Sequence, residues 1–342
     1  MNAEIRADED KGPDCMEEIC MSKVKWGVLG TADIARGQTI LAMKLAANCE
    51  LCAIAGRSLE KARRYQQEFG FEKAYGSYDE LLSDPDIEAV YIPLPNDLHC
   101  EWTIRALNAK KHVLCEKPLA VTREQAERMF RAAEENGVHL MEAFAYLHSP
   151  FITAVKSELD AGVIGEIRYL ESAFLTTRRP DTDIRLRKET YGGAMYDLGC
   201  YAMSMALWMM GRDPDEIQAA AQFSEKGIDL YTTALLICGD GAIAKLDCGM
   251  LLPRGRYDRL HIYGTAGEIH SPVQFNQAGE IPYTVVKDGR RETKTVVAAN
   301  NYQLEVEQLG RCIRDGETPR VSKAFSLRCA AVMDGILAKI GY

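Results

Sequence analysis

A carboxylate, an ammonium group and a proline stand together in the stretch VLCEKPLA, residues 113–120. Apolar residues precede Glu116, Lys117 and Pro118 and resume after them, a pattern that is typical of the end of a buried strand. The ordinary explanation is a solvated loop with a surface ion pair. The other is a polar site, because ligands of open α/β sheets bind at the carboxyl ends of the strands. The tripeptide alone leaves both explanations open.

A candidate phosphate-binding turn follows the first apolar strand, in GVLGTADIA. Dinucleotide-binding folds carry G-x-G-x-x-G/A between the first strand and the first helix, where glycines allow a tight turn and a close approach to pyrophosphate. Helix N-terminal amides and the positive end of the helix dipole bind anions at that point. In this chain Ala32 replaces the middle glycine. The predicted phosphate-binding residues are Gly30, Thr31, Ala32, Asp33 and Ile34.

The residues after the second strand favour one dinucleotide over the other. NAD-binding domains usually carry an Asp or Glu there, which hydrogen-bonds the ribose hydroxyls. This chain has Gly56, Arg57 and Ser58, and its first acid is Glu60. A guanidinium binds a 2′-phosphate through charge-assisted hydrogen bonds, whereas a carboxylate would repel it. We therefore expect NADP(H), with NAD(H) as the alternative if Arg57 is only a solvated loop residue.

Apolar runs alternate with amphipathic stretches in the first half of the chain. Apolar strands are predicted in VKWGVL, ELCAIA, the stretch from Ala89 to about Leu94, HVLC and VHLMEAF, and helices separate them. Strands with so little polar alternation are typical of a parallel sheet that is covered on both faces. The sequence therefore predicts a doubly wound Rossmann domain over residues 23–147.

The second half, residues 148–342, is predicted to be an α+β domain with a large, mostly antiparallel open sheet. Longer strand candidates joined by turns that contain glycine occur at residues 165–175, 232–238, 242–250 and 258–270. A series of strands joined by turns suits an antiparallel sheet. Two helices, at residues 302–316 and in AFSLRCAAVMDGILAKI, complete this domain.

The composition excludes several classes of protein. The chain has 342 residues, enough for two domains, and its formal net charge of -9 disfavours nucleic acid and acidic membrane surfaces as partners. No segment approaches the roughly 20 apolar residues of a membrane span. Residues 1–22 form a polar, acidic leader without the features of a signal peptide, and we expect this leader to be poorly ordered.

The 11 cysteines of a chain without a secretion signal indicate reduced thiols and a cytoplasmic protein. Cys49 and Cys52 form a C-x-x-C, but the surrounding residues are predicted to be a strand. Side chains three positions apart on a strand point to opposite faces, and no second pair exists. We therefore expect no metal site.

Together these features resemble the Gfo/Idh/MocA family of oxidoreductases, which is named for glucose–fructose oxidoreductase and inositol dehydrogenase. The similarity covers nearly all of the chain from Lys23 onward. It rests on the phosphate turn and on PLPNDLHCEWTIRAL, VLCEKPLA, GGAMYDLGCY, IYGTAGEI and NYQLEVEQLGRCIRDG. The order and spacing of these motifs are specific to the family.

The resemblance implies a role for the residues of the opening stretch. In this family the E-K-P stretch closes the fifth strand at the nicotinamide end of the sheet. Lys117 is therefore expected to be the catalytic-site lysine and to contact both cofactor and substrate. Glu116, beside the cofactor, is expected to orient Lys117 or the backbone, and Pro118 to fix the turn. An ammonium group there can stabilise negative charge on the substrate oxygen during hydride transfer.

The resemblance also implies a catalytic pair in YDLGCY. Many relatives have Asp-x-x-x-His there, whereas this chain has Asp197 and then Tyr201, similar to the branch of glucose–fructose oxidoreductase and dihydrodiol dehydrogenase. Positions i and i+4 of a helix share one face. Tyr201 is expected to be the general acid/base, with a pKa that the Lys117 ammonium lowers. Alternatively, Tyr201 is a half-buried interface residue, and Asp197 starts the helix instead of binding substrate.

Four further residues are weaker candidates. Pro95 and Asn96 match a position that contacts the cofactor near the nicotinamide in relatives. His99, which opens the following helix, is either a cofactor-site residue or a structural one. Arg185 aligns with an arginine that faces substrate hydroxyls in relatives. Alternatively, Arg185 belongs to a solvated basic loop that comprises Arg178, Arg179, Arg185, Arg187 and Lys188.

The sequence therefore predicts an NADP(H)-dependent oxidoreductase that acts on a hydroxyl of a sugar, a cyclic polyol or a diol, or on the matching carbonyl. Tyr201, assisted by Lys117, exchanges the hydroxyl proton while a hydride moves to or from the nicotinamide. One alternative is a non-catalytic dinucleotide-binding sensor, because a fold does not fix a function. Another is a lyase or glycosidase with tightly bound, recycling NAD. Relatives associate through the second sheet, so a homodimer or homotetramer is expected.

Overall fold

The computed structural model describes residues 22–177, 180–271 and 275–342. Residues 1–21 of the predicted leader, and Arg178 and Arg179 of the basic cluster, lie outside the described residues. Within the described ranges, no helix is both long enough and apolar enough to cross a membrane.

Six short strands form a parallel sheet in the first half of the chain: β1 Val24–Leu29, β2 Cys49–Ala55, β3 Lys73–Tyr75, β4 Ala89–Ile92, β5 His112–Cys115 and β6 Leu140–Glu142. Their order in the sheet is β3-β2-β1-β4-β5-β6, and every pairing is parallel. All four side chains of β4 are buried, as expected for a strand covered on both faces. The strand order reverses between β1 and β4, which is where ligands bind in such sheets. The predicted Rossmann fold is confirmed.

Helices cover both faces of this sheet. A π-helical segment, Ala35–Thr39, continues into α1 Ile40–Leu45, and the other helices are α2 Leu59–Phe69, α3 Tyr78–Leu82, α4 Asn96–Asn108 and α5 Arg123–Asn136. The side chains of Ser58, Ser77 and Thr122 cap the N-termini of α2, α3 and α5 by accepting backbone N–H groups. Local capping signals therefore fix where the loops at the carboxyl edge of the sheet end.

The second half contains an eight-stranded sheet built from β7 Ile167–Thr177, β8 Glu216–Phe223, β9 Asp229–Ile237, β10 Ile243–Leu252, β11 Arg256–Gly264, β12 Gly267–Ser271, β13 Gly279–Lys287 and β14 Arg290–Ala298. The order is β14-β13-β12-β11-β7-β10-β9-β8, and only the β7–β10 pairing is parallel. The inner face packs on α6 Pro150–Asp160 and α7 Cys200–Met210. Along β10, buried side chains alternate with half-exposed ones, so the other face points outward. The predicted mostly antiparallel sheet is confirmed.

One predicted strand, at residues 258–270, is a hairpin. The chain leaves β11 at Gly264 and returns as β12 from Gly267. Ile262 pairs with Ile269, and both side chains are buried. The two isoleucines are seven positions apart, an odd number, so the apolar alternation is interrupted at the turn. The prediction of one strand was therefore wrong. The turn packs tightly, since a Cβ on Gly264 would lie 2.0 Å from the Ile164 carbonyl oxygen.

The last two helices, α8 Asn301–Asp315 and α9 Lys323–Ile340, return to the first half of the chain. Asn48 Nδ2 donates to the Glu307 carbonyl oxygen over 2.8 Å, and Arg314 forms an ion pair with Glu88 over 2.6 Å. Helix α9 packs on α5 and β6. The predicted boundary near residue 147 therefore marks the change of sheet, whereas α8 and α9 tie the two halves together.

Candidate functional site

A cleft of about 760 Å³ opens at the carboxyl edge of the parallel sheet, and residues from both halves of the chain line it. Three predicted site residues, Gly30, Ser58 and His99, lie outside this lining. The predicted site residues that line the cleft are Thr31, Ala32, Asp33, Ile34, Arg57, Pro95, Asn96, Glu116, Lys117, Arg185, Asp197 and Tyr201.

Gly30 allows the tight phosphate turn after β1. Its φ of 127° lies in the region that side chains avoid, and a Cβ there would lie 3.0 Å from Leu94 Cδ2. Helix α2 holds the turn, because Lys61 Nζ and the Tyr65 hydroxyl donate to the Thr31 carbonyl oxygen over 2.8 and 3.1 Å. The turn therefore presents the start of the following helix to the cleft, as a pyrophosphate site requires.

Two cations, Arg57 and Lys61, line the end of the cleft beside this turn. No acidic side chain among the described residues forms an ion pair with Arg57. Ser58 caps α2 by accepting the Lys61 amide over 3.3 Å. Lys61 was not identified from the sequence, although its place in the first turn of α2, four residues after Arg57, is a usable signal. The pair fits an anionic group at this end.

Glu116 anchors the start of the E-K-P turn from inside the protein. The Tyr91 hydroxyl donates to Glu116 Oε1 over 2.6 Å, and the Lys117 amide donates to Glu116 Oε2 over 3.3 Å. The Lys117–Pro118 peptide bond is cis. The carboxylate therefore orients the backbone of Lys117, which was one of the two roles expected for it.

Two further buried side chains hold the rest of this turn. The Leu119 amide donates to Glu142 Oε1 over 2.9 Å. The ring nitrogens of His99 lie 2.8 Å from the carbonyl oxygens of Pro118 and Leu94, and the ring is fully buried. Burial lowers the pKa of His99. His99 therefore braces the turn and does not face the cofactor end of the cleft, which corrects its place among the cofactor-binding candidates.

Lys117 reaches across the cleft to the second half of the chain. Its Nζ donates to the Asp197 carbonyl oxygen over 2.9 Å and lies 3.5 Å from Asp197 Oδ1. Arg185 Nε donates to the same Oδ1 over 2.9 Å. Burial disfavours the charged form of Lys117, but the acidic groups of Cys200 and Asp197 outweigh it and raise its pKa. The ammonium group therefore stays charged at neutral pH.

Asn96 also joins the two halves, at the start of α4. Its Nδ2 donates to the Tyr191 carbonyl oxygen over 2.9 Å, and Pro95 precedes it at the N-cap. Arg185 approaches from the opposite side, where the Asp197 carboxylate is the main cause that raises the Arg185 pKa. Arg185 is thus held by an acid within the cleft lining and does not behave as part of a solvated loop.

The structure contradicts the lowered pKa expected for Tyr201. The Lys117 Nζ lies 4.7 Å from the centroid of the Tyr201 ring, so the ammonium faces the ring. Burial, and after it the negative charge of Glu116, raises the pKa of Tyr201 well above its usual value. Tyr201 is therefore a neutral phenol at neutral pH, the form that can donate a proton. Asp197, four residues earlier, lies in the first turn of the same helical stretch, which begins at Met195, and it lines the cleft.

The sequence of the chain matches two known family models. Residues 24–144 match the model of an oxidoreductase family with an NAD-binding Rossmann fold, and residues 152–270 match the GFO/IDH/MocA C-terminal domain. The chain belongs to the Gfo/Idh/MocA family of oxidoreductases. The resemblance found in the sequence is confirmed.

Individual relatives of this family cover nearly the whole chain. D-xylose 1-dehydrogenase (NADP(+)) 2 of Haloferax volcanii is 37% identical over 91% of this chain and 95% of its own. Trans-1,2-dihydrobenzene-1,2-diol dehydrogenase of Xenopus laevis is 31% identical over 93% and 98%. A crystal structure of the 3-ketoreductase KijD10 from Actinomadura kijaniata, in complex with NADP and TDP-benzene, superposes with a TM-score of 0.88 at 34% identity, over 93% and 98%.

Four cleft residues around Tyr201 were not identified from the sequence: Phe174, Arg256, Asn276 and Tyr302. The Phe174 ring centroid lies 5.4 Å from that of Tyr201, and the Arg256 guanidinium lies 4.3 Å from the Phe174 centroid. These residues come from β7, β11, the loop before β13 and α8. Only Tyr302, within NYQLEVEQ, lay in a motif, so the lining opposite the parallel sheet depends on contacts between distant segments.

The C-x-x-C pair is split between two cores, as the strand pattern predicted. Cys49 belongs to one buried cluster and Cys52 to the other, on opposite faces of β2. Burial raises the pKa of Cys52 to about 11. Cys52 lies instead beside Glu50 and Glu72, with one ligand atom of each within 4.8 Å of the others. Because Glu72 is exposed, this cluster is a surface feature away from the cleft.

Two buried carboxyl groups lie behind Lys117. Burial raises the pKa of Glu142 to about 7, and it raises that of Glu305, on α8, well above its usual value. Neither carboxyl oxygen of Glu305 has a hydrogen-bond partner within the described ranges. Burial therefore favours the neutral form of the Glu305 carboxyl group.

We predict that the stability contribution of Glu142 is lost as the pH rises. Because its pKa is raised from 4.5 to about 7, the folded state binds the proton more tightly than the unfolded state does. This contribution is fully present below about pH 4.5 and disappears through about pH 7, with a size on the order of 3 kcal/mol. Glu142→Gln, which keeps an acceptor for the Leu119 amide, should therefore gain in Tm relative to the wild type between about pH 5 and pH 8.5.

Thermal unfolding followed by circular dichroism at both pH values measures this difference. Glu135→Gln, on the exposed side of α5, is the matched control and should follow the wild type at both pH values. A Glu142→Gln variant whose Tm differs from that of the wild type by the same amount at both would show that Glu142 is ionised to the same extent in both states.

Proposed function

We propose that this oxidoreductase is NADP(H)-dependent and transfers a hydride between the nicotinamide and a hydroxyl of a sugar, a cyclic polyol or a diol, or the matching carbonyl. The observation that carries the proposal is the approach of Lys117, Asp197 and Tyr201 in one cleft with the phosphate turn. The activities of two relatives, an NADP-dependent xylose dehydrogenase and a diol dehydrogenase, support it.

The cleft lining offers groups that suit different parts of a dinucleotide. The turn shaped by Gly30 would hold the pyrophosphate against the helix start, and Arg57 with Lys61 would hold a 2′-phosphate. Asn96 and Glu116 lie toward the end where Lys117 enters the cleft. When bound, the nicotinamide supplies or accepts the hydride.

The side chains of the cleft account for the proton. In reduction, the neutral phenol of Tyr201 donates its proton to the carbonyl oxygen of the substrate, and in oxidation the phenolate takes it back. The charged Lys117 ammonium can hydrogen-bond the same oxygen and stabilise its negative charge. The Asp197 carbonyl oxygen accepts a hydrogen bond from Lys117 and so fixes its position. Arg185 donates a hydrogen bond to the Asp197 carboxylate. We propose Lys117, Tyr201 and Asp197 as the catalytic residues and Arg185 as a substrate-binding residue.

The two alternatives are less well supported by the cleft. Burying the Lys117 ammonium group costs desolvation free energy. A sensor that only binds the dinucleotide has no need of an ammonium group and a phenol placed together in this way. A lyase or glycosidase with recycling NAD does not require the cationic pair Arg57 and Lys61, which suits a 2′-phosphate. An oxidoreductase that uses NADP(H) accounts for both features.

Tyr201→Phe should lower kcat by roughly 10²–10⁴-fold, because the variant has no phenolic proton to exchange, and should leave NADPH affinity nearly unchanged. The assay follows the nicotinamide absorbance near 340 nm with a panel of aldoses, cyclic polyols, diols and their keto forms. Tyr283→Phe, which removes a phenol that contacts Glu158 outside the cleft, is the control and should retain full activity. Unchanged kcat in Tyr201→Phe would exclude Tyr201 as the acid/base.

Arg57→Asp should raise the KM for NADP⁺ by roughly 10–100-fold, because charge-assisted hydrogen bonds to the 2′-phosphate are lost and repulsion replaces them. The KM for NAD⁺ should stay the same or fall. Arg63→Asp, at an exposed position of the following helix α2, is the matched control for the change in charge. If the ratio of the KM for NADP⁺ to the KM for NAD⁺ is the same in the wild type and in Arg57→Asp, Arg57 does not bind the 2′-phosphate.

We also propose a homodimer or homotetramer that forms through the outer face of the second sheet. This face carries rings in contact, with Tyr169 and Tyr263 centroids 5.8 Å apart and His261 stacked on Tyr263 at 4.0 Å. His261 Nε2 lies 3.1 Å from Glu268 Oε2. Aromatic side chains on an outward sheet face are enriched at protein interfaces. The free, buried cysteines of the described ranges support a cytoplasmic location.

Light scattering at micromolar concentration should give twice or four times the mass of one chain. Tyr263→Arg, which places like charges at the proposed interface, should shift the protein toward the monomer. A wild-type monomer under these conditions would contradict the proposed assembly.

A further inference from the structure

The segment of residues 182–192, here called the wall segment, contributes to the lining of the cleft. It is built from two short 3₁₀ turns, Ile184–Leu186 and Lys188–Thr190. The backbones of Gly192 and Arg185 are in direct contact, because a Cβ on Gly192 would lie 2.3 Å from the Arg185 carbonyl oxygen. Short 3₁₀ turns have poor hydrogen-bond geometry, so the position of this segment depends on contacts from outside it.

On the cleft side, the wall segment is tied to both parts of the site. Asn96 Nδ2 donates to the Tyr191 carbonyl oxygen over 2.9 Å, from the start of α4 in the first half of the chain. Arg185 Nε donates to Asp197 Oδ1 over 2.9 Å. The Asp197 carbonyl oxygen in turn accepts from Lys117. The position of the wall segment therefore determines where Arg185 stands in the cleft and whether Asn96 is engaged.

Tyr342, which follows α9 and lies outside the cleft lining, is a further anchor of the wall segment. Its hydroxyl donates to the Gly192 carbonyl oxygen over 2.5 Å. Gly341, which caps α9, has a left-handed φ of 75°, and the Tyr342 amide donates to the Leu337 carbonyl oxygen over 3.1 Å. This helix-terminating arrangement fixes the backbone of Tyr342 and holds its phenol against Gly192.

The ring of Tyr342 makes further contacts around the same point. Its centroid lies 5.5 Å from that of Tyr196 and 5.8 Å from Lys188 Nζ, within the range of a cation–π interaction. Burial raises the pKa of Tyr342, so its phenol stays protonated and remains a donor at neutral pH. Tyr342 therefore contacts the wall segment twice, at the second 3₁₀ turn through Lys188 and at Gly192.

We propose that Tyr342 is a positioning residue, which fixes the wall segment where Asn96 binds it and where Arg185 faces the substrate. Two consecutive carbonyl oxygens are anchored by different elements. Asn96 of α4 holds that of Tyr191, and Tyr342 holds that of Gly192. Tyr342 acts through these contacts from outside the cleft lining. The inference rests on the proposed function, in which the same cleft binds NADP(H) and a sugar, polyol or diol.

Tyr342→Phe removes the hydroxyl and keeps the ring. Its KM for NADPH and its KM for the most active carbonyl substrate of the panel should each rise by about 10-fold, because the Gly192 carbonyl oxygen loses its donor. Its kcat should stay within about 2-fold of the wild type, since the lost binding contacts are shared by the ground state and the transition state. Steady-state kinetics with the nicotinamide absorbance measure both constants.

Limited proteolysis tests the wall segment without turnover. Trypsin cleaves after arginine and lysine, and the segment contains Arg185, Arg187 and Lys188. Cleavage at these residues, located by mass spectrometry, should be about 10-fold faster in Tyr342→Phe than in the wild type, because a segment with one anchor fewer opens more often.

Tyr283→Phe, which removes a phenol bonded to Glu158 outside the cleft, is the matched control and should equal the wild type in both KM values and in cleavage rate. Unchanged KM values or unchanged cleavage in Tyr342→Phe would overturn the inference. A lower kcat or Tm with unchanged KM values would show that Tyr342 is only structural and would overturn it as well, because misfolding reduces the active fraction and leaves the affinity of the remaining protein unchanged.

Failure of the proposed function has a different signature. If the wild type turns over no member of the panel, the proposed function fails, while the cleavage rates still decide whether Tyr342 holds the wall segment. The dissociation constant of NADPH, measured by fluorescence, then replaces KM and should be about 10-fold higher in Tyr342→Phe than in the wild type.

Discussion

The turn at residues 116–119 is held by buried hydrogen bonds to three side chains, and the rest of the site depends on this restraint. Tyr91, His99 and Glu142 each contact a different part of the turn from a different element. Buried polar groups that are satisfied in only one arrangement fix that arrangement. Lys117 consequently enters the cleft at one defined point, where it contacts Asp197 from the other half of the chain. The same contact that positions the ammonium also joins the two halves of the chain.

Charge is distributed unevenly between the cleft and the remaining surface. The chain carries a formal net charge of -9, yet Arg57 and Lys61 line one end of the cleft, and Lys117 and Arg185 line the other. The acidic side chains of Asp33, Glu116, Asp183 and Asp197 share this lining, so positive potential is local to side chains such as Arg57 and Lys61, where an anionic dinucleotide would bind. At Tyr201, burial favours the neutral phenol and raises its pKa. The site therefore keeps a fixed positive charge next to a proton that is available for transfer.

Sequence patterns predicted the parts of the fold that depend on local signals. HVLC matches β5 residue for residue, because a short apolar run between helices has one arrangement in a parallel sheet. The prediction of one strand over β11 and β12 was wrong, although the alternation changes phase between Ile262 and Ile269, where the chain turns. The Tyr201 pKa was predicted in the wrong direction, because ring orientation and burial are tertiary properties. Asn276 and Arg256 were not found, because distant segments bring them to the cleft.

The most direct test of the account is hydride transfer followed with NADPH that carries deuterium at the reactive position of the nicotinamide. The protein is incubated with this cofactor and a panel of keto sugars and cyclic α-hydroxy ketones, and the products are examined by mass spectrometry. The account predicts one carbon-bound deuterium in the alcohol product and a slower rate than with ordinary NADPH. Tight NADPH binding without deuterium transfer to any panel member, and without NADP⁺ reduction by the matching alcohols, would contradict it.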